Sequence, residues 1–206
     1  MEHSLPYGGL TPEEYEERLA AKLDPKSIRA TLQFAGIYQI IHEQIKKSVL
    51  DGVHDFYLVG LDENGLAYDD DRYRTQVLNR TSSSGKPLNK FNASLSWLVE
   101  SRAITQSQAD NLDAIYDHRH ELTHELAMFV VDVHRSPDIE LFEEGLSILT
   151  DLNRFWVQIE RDTGMFEEFG DIDVNEVYPL SFVVLQQCLH AFSEQFDSGS
   201  DSPASE

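Results

Sequence analysis

The amino-acid sequence predicts an all-α fold, a helical bundle with an irregular insert around residues 59–90, and three observations predict it. Apolar residues recur at helical spacing over several long stretches. Helix-start signals stand in front of most of those stretches. The one region that breaks the pattern carries a tight-turn dipeptide, Asn64-Gly65, between short apolar arms that can pair as a small β-hairpin. With 206 residues, 41 % of them hydrophobic, and 11 Phe and 8 Tyr, the chain has the material for a real core.

Residues 1–10 read as a flexible lead with Pro6, Gly8 and Gly9. Thr11-Pro12-Glu13-Glu14 opens a helix: a Thr cap, Pro at the first helical position, and Glu three residues after the cap. That helix reaches about Leu23. Asp24-Pro25 repeats the signal and opens a long second helix to about Tyr57. Phe34, Ile37, Tyr38, Ile41, Ile45, Val49 and Phe56 share one face of it, and a thinner stripe holds Leu32, Gly36, Glu43 and Leu50.

Leu58–Leu61 and Leu66–Tyr68 are the hairpin arms, Asp69–Asp71 an acidic run facing solvent, and Thr81–Gly85 a Ser-rich loop. A short helix follows over about Lys90–Arg102, with Phe91, Leu95, Leu98 and Val99 inward. Thr105, with Gln108 at the box position, caps a helix that should run to about Val133. Ser136-Pro137 starts another, whose apolar positions Phe142, Leu149, Leu152, Trp156 and Ile159 follow near-heptad spacing until Gly164. Residues 165–177 are acidic and irregular, and Pro179 to Phe196 reads as a last apolar helix. Trp97, Trp156 and the Phe stripe are expected in the core, His118 and His134 at the surface, and Cys188 as an inert buried thiol.

Composition excludes several classes. Lys and Arg number 16 against 37 Asp and Glu, a formal charge of −21, so the long-range field repels polyphosphate. Any RNA contact must come from a local basic spot. One cysteine rules out an internal disulfide framework and a Cys-rich zinc module. No apolar run is long enough to span a bilayer, and the acidic N-terminus lacks the apolar region of a secretory signal, so a cytoplasmic protein without membrane attachment is expected.

Chemistry concentrates in Asp117-His118-Arg119-His120-Glu121-Leu122-Thr123-His124-Glu125-Leu126. One reading is metal. His120-Glu121-Leu122-Thr123-His124 matches H-E-x-x-H, in which two His four apart face one way as zinc ligands and Glu121 is the base. Glu144, twenty residues beyond His124, is the third ligand such a site would need. Arg119 speaks against it by setting a positive charge beside the ligands.

The other reading takes Arg119, His120, three further residues and His124 as R-polar-x-x-x-H. In this the sequence resembles the HEPN superfamily, all-α domains that share that mark. Phe34-Ala35-Gly36-Ile37-Tyr38-Gln39-Ile40-Ile41-His42-Glu43 resembles the first core helix of the group. Ser94-Leu95-Ser96-Trp97-Leu98-Val99, Ile104-Thr105 and the motif helix then follow in the expected order. The resemblance spans about residues 27–160. With the segments read above, the chain divides into a lead and helix (1–24), a HEPN-like helical domain (25–164), an acidic loop with a C-terminal helix packed on it (165–196), and a disordered tail (197–206), the last two lying outside the resemblance.

The resemblance implies metal-independent RNA cleavage, with the motif at the mouth of a cleft formed by two subunits and no cofactor. An imidazole suits proton transfer near neutral pH, which is the role of His124. Arg119 would grip phosphate oxygens in a bidentate manner. His120 would add a hydrogen bond. Expected partners are a second copy, an RNA substrate and, for a toxin or phage-defence effector, an antitoxin or regulatory protein. The non-enzyme alternative is a HEPN-like module for nucleotide or RNA binding or for assembly.

On the wheel, Leu112, Ile115, Leu122, Leu126, Phe129, Val130 and Val133 form one apolar arc that includes Arg119. His120 and His124 lie opposite, beside Tyr116, Ala127 and Val131. Arg119 and His124 stand about 140° apart at about 100° per residue. Glu43 is the acid expected to pair with Arg119 if the Arg is held in the core. Otherwise the guanidinium snorkels outward, or the pairs of two subunits combine across a two-fold axis. The face holding Tyr116, His120, His124, Ala127 and Val131 is expected to line a symmetric homodimer.

Overall fold

The computed structural model describes residues 6–63, 65–170, 173 and 175–197. It is all-α with one small two-stranded hairpin. Helix α1 (Pro12–Lys22) starts at a full capping box: Thr11 Oγ1 accepts the Glu14 N–H at 3.2 Å, and Glu14 accepts the Thr11 N–H at 2.8 Å. Helix α2 (Pro25–Lys47) starts at Asp24, whose carboxylate accepts the Lys26 N–H at 2.8 Å. Pro6–Gly9, expected to be flexible, forms a 3₁₀ turn.

The second helix continues past Lys47 as a wider π-wound stretch, Ser48–Gly52, and a last turn, α3 (Val53–Asp55). A π-wound turn holds more residues than an α turn, so it shifts the phase of everything after it. That is why Phe34, Ile37, Tyr38, Ile41, Ile45 and Val49 are buried as expected, whereas Phe56 is exposed and Val53 and Tyr57 turn inward in its place.

Strands β1 (Leu58–Asp62) and β2 (Gly65–Tyr68) form the hairpin, antiparallel with Leu61 opposite Leu66 and Asp62 opposite Gly65. Asn64 of the expected turn lies outside the described residues. The acidic run is not merely solvated: Asp69 accepts the Arg72 N–H at 3.0 Å and so caps α4 (Asp70–Tyr73), which runs on as a π-wound Arg74–Leu78. Polar Asp and Arg residues hid this short helix, whose buried contribution is Tyr73 and Val77.

Helices α5 (Lys90–Glu100) and α6 (Gln106–His124) follow, then α7 (Leu126–Val131), α8 (Ile139–Asp162) and α9 (Leu180–Asp197). Helix α8 begins two residues later than Ser136-Pro137 predicts, because Asp138 supplies the cap by accepting the Leu141 N–H at 2.9 Å. It ends before Gly164, which takes the left-handed φ of 84° that glycine tolerates. Helix α2 is the centre of the bundle and packs on α6, α7, α8 and α9. Ile148, Leu149 and Leu152 of α8 and Phe182 and Leu185 of α9 join its apolar face in one continuous core. Trp97 of α5 is buried there and stacks on half-buried Trp156, rings parallel within 7° at 6.3 Å. Cys188 is half-buried at the edge of that core. The expected tail beyond Asp197 lies outside the described residues. Among the described residues no helix is long and apolar enough to cross a membrane.

Candidate functional site

Helix α6 carries the site and is set by local signals at its start. Thr105 Oγ1 accepts the Gln108 N–H at 3.2 Å, and Gln108 Oε1 accepts the Thr105 N–H at 2.8 Å. Leu112, Ile115 and Leu122 then form the buried stripe that seats α6 on α2 and α8. The opposite face holds Tyr116, His120 and His124, all exposed, at successive spacings of four. Their rings make a row: Tyr116 to His120 is 6.4 Å with planes 19° apart, and His120 to His124 is 4.3 Å.

Arg119 lies between the two faces. Its Nε is buried without a hydrogen-bond partner, and its guanidinium sits over the Tyr116 ring, 5.0 Å from the centroid. Tyr116 therefore connects Arg119 to the histidine row, although the wheel separates them. The cation–π contact holds the guanidinium against the Tyr116 face, beside the histidine row.

The expected pair between Arg119 and Glu43 does not form. Glu43 is exposed and accepts a hydrogen bond from Gln39 Nε2 at 3.1 Å. Its Oε1 comes to 3.4 Å from His42 Nδ1 without hydrogen-bond alignment, so Nδ1 stays buried and unpartnered. The guanidinium acts electrostatically on His42. Burial pushes its imidazole below the usual histidine range, the Arg119 and then Lys46 charges push the same way, and Glu43 opposes them. The His42 and Tyr116 rings are 5.6 Å apart.

Helix α6 ends at His124 rather than continuing to Val133. Thr123 Oγ1 donates back to the Arg119 carbonyl at 2.8 Å, a bond that competes with helix geometry at the last turn. Glu125 then leaves the helix at φ −117°, ψ 24°, and its carboxylate pairs with Arg135. The helical phase carries no further than Glu125, so Ala127 and Val131 do not extend the histidine row by periodicity. Both are nonetheless exposed, as is Met128.

His118, expected at the surface, is packed inside. Its Nε2 accepts the Asp138 N–H at 2.9 Å, and its ring meets Tyr38 and Phe129 edge-on at 5.2 and 5.8 Å. His134 is exposed, as expected. Glu144, the third ligand of the zinc reading, stands beside Asn111 Nδ2 at 3.5 Å. That is nine residues, about 13 Å along the helix, from His120. Among the described residues no three His, Cys, Asp or Glu side chains come together as a metal-binding set, so the ligand set His120, His124 and Glu144 is not assembled.

Sequence reading missed a cavity of about 400 Å³ between α2, α5 and α6. Buried His42, Ile45 and Leu112 form its floor, and exposed Lys46, Asp113 and Tyr116 stand at its rim. Lys46 and Arg119, whose charges both act on His42, make the local basic spot that a chain of charge −21 requires for any anionic ligand. The spacing of His42, Lys46, Leu112, Asp113 and Tyr116 was visible as helix faces, but which faces meet was not. Comparison with protein-family models, with curated proteins and with solved structures gave no match.

Proposed function

We propose that this chain is a homodimeric, metal-independent endoribonuclease of the kind the HEPN resemblance implies, acting in the cytoplasm as a toxin or phage-defence effector. The observation that carries the reading is the contiguous row of Arg119, Tyr116, His120 and His124, with the guanidinium stacked on Tyr116 and one N–H unpartnered. An exposed row of two histidines beside an oriented cation has the groups that phosphodiester transfer needs.

In the proposed step His124 takes the ribose 2′-hydroxyl proton. The 2′-oxygen bonds to phosphorus, the bond to the 5′-oxygen breaks, and that oxygen takes a proton from a protonated imidazole of the second copy. The products are a 2′,3′-cyclic phosphate and a 5′-hydroxyl. Arg119 holds the phosphate oxygens as charge develops, and His120 adds a hydrogen bond. The exposed row of Tyr116, His120 and His124 is the surface on which a second copy would seat.

The test is RNA cleavage in EDTA, with thermal melting of each variant as a folding control. Arg119→Ala should cost on the order of 10² to 10³ in rate. Arg119→Lys should also be poor, because a point charge does not reproduce the planar fork. His124→Ala should cost ~10² to 10⁴. Light scattering should give twice 23.5 kDa. Equal cleavage by wild type and a folded His124→Ala variant refutes the enzyme reading. It would leave the second one, a non-catalytic nucleotide- or RNA-binding or assembly module, which the charge of −21 and the half-burial of Arg119 favour.

A further inference from the structure

The cavity between α2, α5 and α6 is not accounted for by phosphate transfer. Its volume of about 400 Å³ falls within the range of small-ligand sites, about 300–1,000 Å³. Two aromatic side chains line it, Phe91 from α5 and Tyr116 from α6, above an aliphatic floor of Ile45, Leu50 and Leu112. Planar walls of this kind suit a flat ligand. The polar groups are mixed: Lys46 only donates, Asp113 as a carboxylate only accepts, and the Asn92 amide does both. A purely apolar ligand would leave these unused, and a simple anion would meet Asp113. The buried floor contains one polar side chain, His42, whose Nδ1 stands 3.4 Å from Glu43 Oε1 without forming a hydrogen bond.

A flat body with a hydrogen-bonding edge of mixed donors and acceptors describes a nucleobase. Single-stranded bases are read in this way, by stacking on aromatic rings and by bonds to their edges. The cavity also ends at Tyr116, the ring on which Arg119 stacks. A base in the cavity therefore places its attached phosphate toward Lys46 and Arg119. We infer that the cavity is a nucleobase-binding site, with Phe91 and Tyr116 as stacking surfaces and Asp113 accepting from an exocyclic amine. Its chemistry is independent of cleavage, but its assignment as the site for a base of the substrate strand rests on the ribonuclease reading.

The test is calorimetric binding of AMP, CMP, GMP and UMP to the full chain, beside a 2′-deoxy tetranucleotide that lacks the attacking hydroxyl. Saturable binding of one or more nucleotides is expected. Phe91→Ala should weaken it roughly 5- to 100-fold, the range of one base stack. Asp113→Asn, a change at an exposed position, should erode the preference for amine-bearing bases over UMP. That shift in preference is a readout that a structural role would not move. Tighter binding of the tetranucleotide than of any monomer assigns the site to a strand, and equal binding assigns it to a free nucleotide. Saturable nucleotide binding by a wild-type chain that leaves RNA uncleaved would remove the enzyme reading and leave this site standing. No saturable binding of any of the four at millimolar concentration overturns the assignment. So does binding that Phe91→Ala and Asp113→Asn both leave unchanged.

Discussion

Gly52→Ala puts two opposing effects against each other at one position. Gly52 has ordinary helical dihedrals, φ −57° and ψ −44°, so helix propensity alone favours Ala, by about 1 kcal/mol. Packing opposes it. A Cβ there would stand 2.6 Å from Trp156 Cε2 and 2.8 Å from both Cζ2 and Nε1. The indole would have to retreat, but it is held on two sides. Its Nε1 donates to Ser48 Oγ at 2.9 Å, and its face stacks on Trp97. Overpacking of this kind costs about 1–3 kcal/mol. The lost hydrogen bond adds about 1 kcal/mol. After subtracting the propensity gain, a net loss of about 1–3 kcal/mol remains. For a chain of this size that lowers Tm by about 3–10 °C. Circular dichroism melting of the single variant and of the change made in a Trp156→Phe background measures both terms. Without the indole's second ring the overlap is relieved, and Gly52→Ala should then be neutral or stabilising. A Tm at or above wild type for the single variant, or an equal loss in both backgrounds, would refute the packing argument.

Three further outcomes follow from the contacts. His118 is held neutral by burial and by accepting the Asp138 N–H, so its folded proton affinity lies below the unfolded value of 6.5. The unfolded chain then binds more protons as pH falls below about 6.5, and stability is lost in that direction. Denaturant titration at pH 8 and pH 5.5 should show the drop, and His118→Phe should shrink it, with His42 supplying a residual drop of the same sign. Thr105→Ala removes the cap of α6 and should cost about 0.5–2 kcal/mol, read as a lower denaturant midpoint at unchanged slope. Lys22 Nζ donates to the carbonyls of Phe129, at 3.0 Å, and of Arg135, tying α1 to the end of α7. Lys22→Met should lower stability by about 1–2 kcal/mol and speed amide exchange in Leu126–Val131 ahead of α2.

Elements that depend on near neighbours were legible in the residues themselves. The capping boxes at Thr11 and Thr105 close over three residues, the hairpin around Gly65 depends on one turn, and the buried stripe of α2 follows from period alone. The candidate row of Tyr116, His120 and His124 was legible for the same reason, since spacings of four fix a common helix face. What stayed hidden was decided across the chain. His118 is inside because Asp138, twenty residues on, reaches its ring nitrogen. The histidine row stops at His124, where Glu125 leaves the helix and pairs with Arg135, ten residues on. Glu43 faces solvent and Arg119 turns to Tyr116 and His42 because the packing of α2 on α6 sets which side chains meet. The cavity exists only where three helices fail to fill the space between them, and periodicity along one strand of sequence carries no information about the gap between helices. Local hydrogen bonds and hydrophobic period set the helices of this protein, and long-range packing chose which of their polar groups became a site.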